Sequence, residues 1–208
     1  MVGVLLLSKM QNPLPEQVIL AAIKASADVY PDEKDFIVDR SIDGYTILAV
    51  EGTTDMSDWA TNIKFLLMDD GCHRGFKSNA QRTLSELVLN YEALNPERVL
   101  VLTGHSLGGA TATIIADQLL PFNSNIALVT AGSPRPGGRK LKKRLEKLNH
   151  YRFVHGDDVV PKTPPYINGY VHTHPKIYLE DTDDTRFDGV DDHNVQYYYK
   201  AVKRLYNL

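Results

Sequence analysis

Ser106 is the residue of this chain whose type and spacing most directly suggest chemistry. It lies in segment 104–109, which reads G-H-S-L-G-G and contains the pattern G-x-S-x-G. The apolar run 99–103 before it predicts a buried strand, and the alanine-rich run 110–116 after it predicts a helix. Only small residues fit beside the central residue of such a sharp strand-to-helix turn, and that residue is held in a strained conformation. The turn presents the hydroxyl at the positive end of the following helix, and we predict a nucleophilic serine.

A serine hydroxyl is a weak nucleophile, so this prediction requires a base and an orienting acid elsewhere in the chain. After a strand-turn-helix of this type, the acid is expected to follow the serine and the histidine to follow the acid. Three of the seven histidines satisfy that order, namely His172, His174 and His193. His193 follows an acidic segment and precedes the last helical pattern, and a side chain at such a junction can project across the sheet.

Two adjacent carboxylates are candidates for the acid. Asp157 and Asp158 follow the strand-like run 151–154. Active sites of open α/β sheets gather at the carboxyl ends of the strands, so this is a suitable position. The residues themselves do not choose between the two.

Several separate segments between Tyr45 and Tyr199 resemble the class 3 (fungal-type) lipases of the α/β-hydrolase superfamily. The serine segment has the G-H-S-L-G-G form of that family. Segment 158–165 resembles its D-I/V-V-P-x-x-P-P motif, and segment 192–198 resembles its D-H-x-x-Y-F motif. Further similarities lie at E-G-T (51–53), where the family has R-G-T/S, at 72–76, at 131–137 and at 170–172.

The resemblance implies an α/β-hydrolase fold, with a mostly parallel central sheet flanked by helices. It implies a catalytic triad of Ser106, Asp158 and His193, and thereby selects the second of the two adjacent acids. It also implies an oxyanion hole formed by Thr53 and by the backbone N–H of Leu107. The histidine of the Y-x-H segment 170–172 is not catalytic in the family.

The activity implied by the resemblance is that of a serine carboxylester hydrolase (EC 3.1.1.-) of lipase type. Its substrates would be acylglycerols or similar lipid esters, met at a lipid–water interface. An esterase for short-chain or aryl esters is the alternative enzyme, and a non-catalytic binding module with a retained fold is the alternative of another class. Segment 55–68 has an apolar face and is either a mobile lid helix, as in the family, or a fixed helix packed on the core.

Composition places limits on other functions. We expect one domain over residues 1–208, because this length supports one well-buried core. A net charge of −3 and the lack of a long basic run argue against a nucleic-acid partner. The single cysteine, Cys72, excludes an internal disulfide and is expected to be a partly buried structural thiol. The apolar run 2–7 is too short for a signal sequence or a transmembrane segment, so we expect a soluble, cytoplasmic protein.

No cofactor or metal is expected. The acidic loop 181–192 lacks the regular D-x-D-x-D-G ladder of a calcium site and is expected to be solvated. The remaining patterns predict alternating elements of an α/β domain. Helices are predicted at 17–27, 76–94, 138–148 and 194–205, a hairpin at 36–38 and 45–50, and further strands at 126–130, 151–154 and 176–179.

Overall fold

The computed structural model describes residues 12–30, 35–52, 69–88, 95–181, 189 and 191–208. The helices in these ranges are α1 (Glu16–Asp28), α2 (Arg74–Val88), α3 (Leu107–Leu119), α4 (Arg139–Arg144) and α5 (Val195–Leu205). The strands are β1 (Phe36–Asp39), β2 (Tyr45–Val50), β3 (Val99–His105), β4 (Ile126–Ala131), β5 (Gly137–Gly138), β6 (Asn149–His155), β7 (Tyr170–Val171) and β8 (Ile177–Leu179). Short 3₁₀ helices lie at Val160–Lys162, Tyr166–Asn168 and Asp191–His193.

The main sheet has the strand order β1-β2-β3-β4-β6-β8. The first pair, β1 and β2, is antiparallel and forms the predicted hairpin. All the other pairs in this sheet are parallel. Because the carboxyl ends of parallel strands meet at one edge, the residues after β3, β4 and β6 are brought together there. The predicted α/β architecture with a mostly parallel sheet is confirmed.

Apolar clusters cover both faces of the sheet. One contains residues of α1 and α5, and the other contains residues of α2, α3 and α4. Successive residues of β3 alternate between them, with Val101 in the first cluster and Leu100 and Leu102 in the second. A strand buried on both faces has a continuous apolar sequence, which explains why 99–103 reads as an uninterrupted run. Each fully buried side chain of this kind stabilises the fold by about 1.5–3 kcal/mol.

Two elements differ from the predictions in ways that have a physical cause. The helix predicted over 138–148 ends at Arg144, because the chain then turns to bring Leu145 and Leu148 into the core before β6 begins. The ladder between β5 and β7 was not predicted, since two residues per strand are too few to show a periodic pattern.

Other predictions fall partly or wholly outside the described residues. These include the end of the helix predicted over 76–94, the possible lid helix 55–68, and most of the acidic loop 181–192. Among the residues that are described, none of the helices combines the length and the apolar character that a membrane span requires.

Candidate active site

Ser106 occupies the turn between β3 and α3. Its backbone has φ 56° and ψ −129°, a conformation that costs a non-glycine residue about 1–3 kcal/mol. The glycines of the pattern permit the close approach that this turn needs. A Cβ atom at Gly104 would lie 2.4 Å from the carbonyl carbon of Gly108, and a Cβ atom at Gly108 would lie 2.2 Å from the carbonyl oxygen of Val50. The strained turn predicted from the sequence is therefore present.

His193 and Asp158 form a buried hydrogen-bonded pair. The Nδ1–H of His193 donates to Oδ2 of Asp158 across 2.7 Å. The same carboxylate accepts from the hydroxyl of Tyr198 (2.6 Å) and from the backbone N–H of Val160 (2.9 Å). Asp158 is 0% exposed, and a buried carboxylate needs such donors to remain charged. Burial, followed by the neighbouring Asp158, raises the pKa of Tyr198 well above its usual value, so this hydroxyl stays a donor.

Nε2, the second ring nitrogen of His193, is the one that can accept a proton. The proton on Nδ1 is hydrogen-bonded to the carboxylate of Asp158, so in the neutral ring Nε2 is the unprotonated, basic nitrogen. Nε2 is buried and has no hydrogen-bond partner in the described part of the chain. The residue ends the 3₁₀ helix Asp191–His193, directly before Asn194, whose side chain caps α5 by accepting from the N–H of Gln196. This is the loop–helix junction that the sequence predicts.

His105 connects the serine turn to His193. Its Nε2–H donates to the backbone carbonyl of His193 across 2.7 Å, and the two rings lie 4.4 Å apart. Its Nδ1 must then accept, and it does so from the hydroxyl of Tyr30 at 2.8 Å. Burial and the charge of His193 lower the pKa of His105 well below its usual value, which keeps the ring neutral. The residue next to Ser106 thus holds the backbone of His193 in place.

Sequence reasoning missed this positioning role of His105, as well as those of Tyr30 and Tyr198. The histidine lies within the G-H-S-L-G-G segment, before both candidate acids, so the expected order of the triad left it out of the candidates for the base. Tyr30 is 75 residues away from His105, and no local pattern connects them. Tyr198 is the middle member of a run of three tyrosines, and its spacing alone does not distinguish it from the other two.

The structure separates the two adjacent acids. The side chain of Asp157 is exposed, whereas that of Asp158 is buried against His193. The backbone N–H of Asp157 donates to Oδ2 of Asp192 across 2.7 Å. Asp192 also lies 3.3 Å from Nδ1 of the buried His155. These contacts of Asp192 tie the loop after β6, which carries Asp158, to the segment that carries His193.

His155, Asp181 and Asp192 are the described residues whose ligand atoms lie close enough together to hold a metal ion, within 4.8 Å of one another. Because Asp192 already accepts from Asp157, the group has a structural role without an ion. The absence of a cofactor and of a metal stays a prediction.

The other candidate side chains have different surroundings. Nε2–H of His172 donates to the carbonyl of Pro161 (2.7 Å), and burial lowers the pKa of this histidine to about 3. His174 is also largely buried, which lowers its pKa. Burial raises the pKa of Cys72 to about 11, so its thiol stays protonated at neutral pH. Neither of these two histidine side chains forms a hydrogen bond or ion pair with a carboxylate of the described residues. Cys72 contacts Asp70 instead, since its backbone N–H donates to Oδ1 of that residue across 3.0 Å.

Only part of the expected oxyanion hole is described. Leu107 is the first residue of α3, where backbone N–H groups have no partner within the helix and carry its positive end. Thr53, the other expected donor, lies outside the described residues. The residue before it, Gly52, is adjacent to the serine turn, since a Cβ atom there would lie 2.8 Å from the carbonyl oxygen of His105.

Gly132 offers a test of the geometry around the His–Asp pair. Its φ is +59°, and a Cβ atom there would lie 2.9 Å from Cε1 of His193 and 3.0 Å from Oδ2 of Asp158. Gly132→Ala is therefore expected to displace the pair and to lower kcat about 100-fold, the usual effect of a shift near 1 Å. Steady-state kinetics on a soluble ester would measure this.

Gly44→Ala is the matched control, because Gly44 also has a positive φ (+77°) but a Cβ atom there meets nothing within 4 Å. Both variants should lose about 1–2 kcal/mol of stability from backbone strain, and only Gly132→Ala should lose activity. Equal activity in the two variants would contradict the geometry described here.

Comparison with known families gives one family match. The model of the family described as Lipase (class 3) matches residues 47–168. Secreted mono- and diacylglycerol lipase 1 of Fusarium solani is 34% identical over 145 residues, which are 64% of this chain and 44% of that protein. Secreted mono- and diacylglycerol lipase A of Penicillium cyclopium is 33% identical over 144 residues, which are 64% of this chain and 47% of that protein. The chain thus matches less than half the length of these curated relatives.

Solved structures show the same similarity. The crystal structure of the mono- and diacylglycerol lipase of Aspergillus oryzae aligns with a TM-score of 0.63 and 28% identity, over 72% of this chain and 64% of that one. The structure of the N225Q mutant of MDLA from Penicillium cyclopium aligns with a TM-score of 0.63 and 29% identity, over 75% of this chain and 62% of that one. The α/β-hydrolase fold expected from the sequence is confirmed.

Proposed function

Because the chain belongs to the class 3 lipase family, we propose that it is a serine carboxylester hydrolase of lipase type, with Ser106, Asp158 and His193 as its catalytic triad. The observation that carries this proposal is the 2.7 Å hydrogen bond from His193 to Asp158. His105, the neighbour of a serine held at φ 56°, contacts the backbone of the same histidine. A structural serine has no need of such a turn. A structural histidine has no need of a buried carboxylate on one nitrogen, nor of a second nitrogen that is buried without a partner among the described residues.

The reaction proceeds in two halves. Nε2 of His193 takes the proton from Ser106 as Oγ attacks the ester carbonyl carbon, and a tetrahedral intermediate forms. The intermediate collapses, the bond to the alcohol oxygen breaks, and the histidine returns the proton to that oxygen. Water then attacks the acyl-enzyme with the same histidine as base, which releases the acid and regenerates the serine. Asp158 fixes the tautomer and stabilises the imidazolium throughout.

The negative oxygen of each tetrahedral intermediate needs donors that are already in place. Leu107 supplies a backbone N–H at the positive end of α3, and we assign the second donor to Thr53 by resemblance. Loss of one such donor lowers the rate by about 10²–10³ in enzymes of this type.

Acylglycerols are the substrate class that we propose. The support is the names of the relatives from Fusarium and Penicillium, which describe mono- and diacylglycerol lipases. Action at a lipid–water interface and a lid in segment 55–68 belong to the same proposal, as does a single domain over residues 1–208. The cytoplasmic location expected from the sequence stays a prediction, and it differs from these relatives, whose names describe them as secreted.

A comparison of substrates tests this proposal. We expect hydrolysis of emulsified long-chain mono- and diacylglycerols, with a rate that rises abruptly once the substrate exceeds its solubility limit, since adsorption at an interface offsets the exposure of apolar surface. Fatty-acid release would be followed by titration at constant pH, alongside soluble short-chain esters, with Ser106→Ala as the inactive control. Turnover of the soluble esters alone, saturating smoothly, would instead identify an esterase.

A further inference from the structure

Arg152 is an unexpected residue in the middle of a buried strand. Its neighbours Tyr151 and Phe153 belong to the apolar cluster under α1 and α5, so Arg152 points to the opposite face of the sheet. The residue is only 6% exposed. A guanidinium at such a depth costs several kcal/mol unless a negative charge compensates it.

Arg152 forms no ion pair with a carboxylate of the described residues. Nε–H of Arg152 donates to the carbonyl of His174 across 3.0 Å, and this is the one hydrogen bond that its side chain makes with the described part of the chain. Burial lowers the pKa of Arg152 to about 10, so the group is still charged at neutral pH. Its remaining N–H donors therefore have no acceptor among the described residues.

A cavity of about 270 Å³ lies beside this side chain. At about 30 Å³ for each water, its volume equals that of about nine water molecules. Four basic side chains line it, namely Arg135, Arg152, Lys162 and Lys176, and the neutral His172 lines it as well. Lys176 also lies 4.9 Å from the ring centre of Tyr178, another lining residue.

The cations of this cavity are bound only to neutral partners. Arg135 donates to the carbonyls of Lys162 and Pro164, and Lys162 donates to the carbonyl of Asp157 (3.1 Å). Within the described ranges, none of the four cationic side chains forms an ion pair with a carboxylate. No described carboxylate therefore forms an ion pair that compensates these charges.

The charge balance indicates what ligand would fit. Two carboxylates, Asp157 and Asp158, also line the cavity, and the second already accepts three hydrogen bonds. Against four cations, two carboxylates leave a surplus of two positive charges. A doubly charged tetrahedral oxyanion would balance that surplus, and guanidinium groups bind its oxygens in pairs.

We infer that this cavity is a binding site for a phosphate group, either free phosphate or the phosphoryl headgroup of a lipid. The occupant would join Arg152 of β6 to Lys162, which follows the loop that carries Asp158. It would therefore stabilise the loop on which the proposed catalytic acid is placed. Asp158 lines the cavity, but Ser106 and His193 do not, and binding is measured without any turnover.

Calorimetric titration of inorganic phosphate into the full chain tests the inference, at an ionic strength held constant with chloride. We expect saturable binding with one phosphate per chain. A concentration of ten times Kd should raise Tm by about 3–6 °C. Phosphate is kept in the millimolar range, because higher concentrations stabilise proteins through exclusion from their surface.

Charge-removing variants show whether the binding belongs to this cavity. Lys176→Gln and Lys162→Gln change exposed residues that line it, and each is expected to weaken binding about tenfold or more. Arg152→Gln should abolish binding, and because it could also harm folding, the two lysine variants carry the test. Lys143→Gln, an exposed change on α4 outside the cavity, is the matched control and should bind like the wild type.

A second titration, with a lipid as the ligand, distinguishes the two sources of the phosphoryl group. Dihexanoyl phosphatidic acid is titrated into Ser106→Ala protein, so that no ester is consumed, with dihexanoylglycerol as the ligand without phosphate. Equal affinity for phosphate and phosphatidic acid indicates a site for free anions. A headgroup site is indicated if phosphatidic acid binds about ten times more tightly than phosphate and phosphate still displaces it. The inference is overturned if neither ligand binds below about 10 mM, or if the lysine variants bind as well as Lys143→Gln.

Discussion

Replacing Asp158 by asparagine is expected to lower kcat by up to about 10⁴, the usual effect of losing the orienting carboxylate of a serine triad. Three donors converge on this side chain, from His193, Tyr198 and the backbone of Val160. An asparagine presents one acceptor oxygen and one NH₂ group, so at least one donor would face another donor. The histidine would then lose its partner or adopt the wrong tautomer. Stability should also fall, by about 1–3 kcal/mol, for the unpaired buried groups.

Asp157→Asn provides a control one residue away. The side chain of Asp157 is exposed, and its contacts to Asp192 and Lys162 are made by its backbone. Its replacement should change kcat by no more than a few-fold. Kinetics on a soluble ester, with Tm measured for both variants, would check this ranking. A larger loss from Asp157→Asn than from Asp158→Asn would show that the acid was assigned to the wrong residue.

Ser106→Ala should remove turnover almost completely, by a factor on the order of 10⁶, because it removes the hydroxyl that forms the proposed acyl-enzyme. The fold should be unaffected. Alanine is smaller than serine and has the same backbone restrictions, so the strain at φ 56° stays similar. Circular dichroism and Tm should therefore match the wild type, while ester hydrolysis falls to background.

Ser133→Ala is the matched control for the serine. Ser133 is also buried, and it lies beside the serine turn, where a Cβ atom at Gly109 would be 2.8 Å from its own Cβ. Its hydroxyl donates to the carbonyl of Pro134, so it has an ordinary structural partner. We expect this variant to keep activity within several-fold of the wild type. A wild-type rate in Ser106→Ala, or a comparable loss in both variants, would contradict the assignment of the nucleophile.

The fold and the site differ in how much of each the sequence revealed. Buried parallel strands such as β3 were predictable, because burial on both faces imposes a continuous apolar run. The glycines around Ser106 were informative for a similar reason, since backbone atoms approach within 3 Å of where their side chains would be. For the acid, the residues offered two adjacent aspartates, and only the family resemblance chose between them. The geometry agrees with that choice, because Asp158 alone of the two contacts His193.

The supporting residues were not predictable from the sequence. His105 contacts His193 across 88 positions, and Tyr30 contacts His105 across 75. Such contacts depend on how β3, α1 and the segment before α5 meet in space, and they leave no periodic signal. Arg152 was overlooked for a different reason. An arginine within a strand gives no sign of its direction until the strand is placed in the sheet, and only then does its burial appear.

The most direct measurement is the site of covalent modification by a fluorophosphonate probe. Such a probe mimics the tetrahedral intermediate and reacts only with a serine activated by a neighbouring base. Intact mass should show one phosphonyl group per wild-type chain, and peptide mapping should locate it on Ser106. Ser133→Ala should be labelled like the wild type, Asp158→Asn much more slowly, and Ser106→Ala not at all. Modification at another residue, or labelling that persists in folded Ser106→Ala, would contradict the proposed triad.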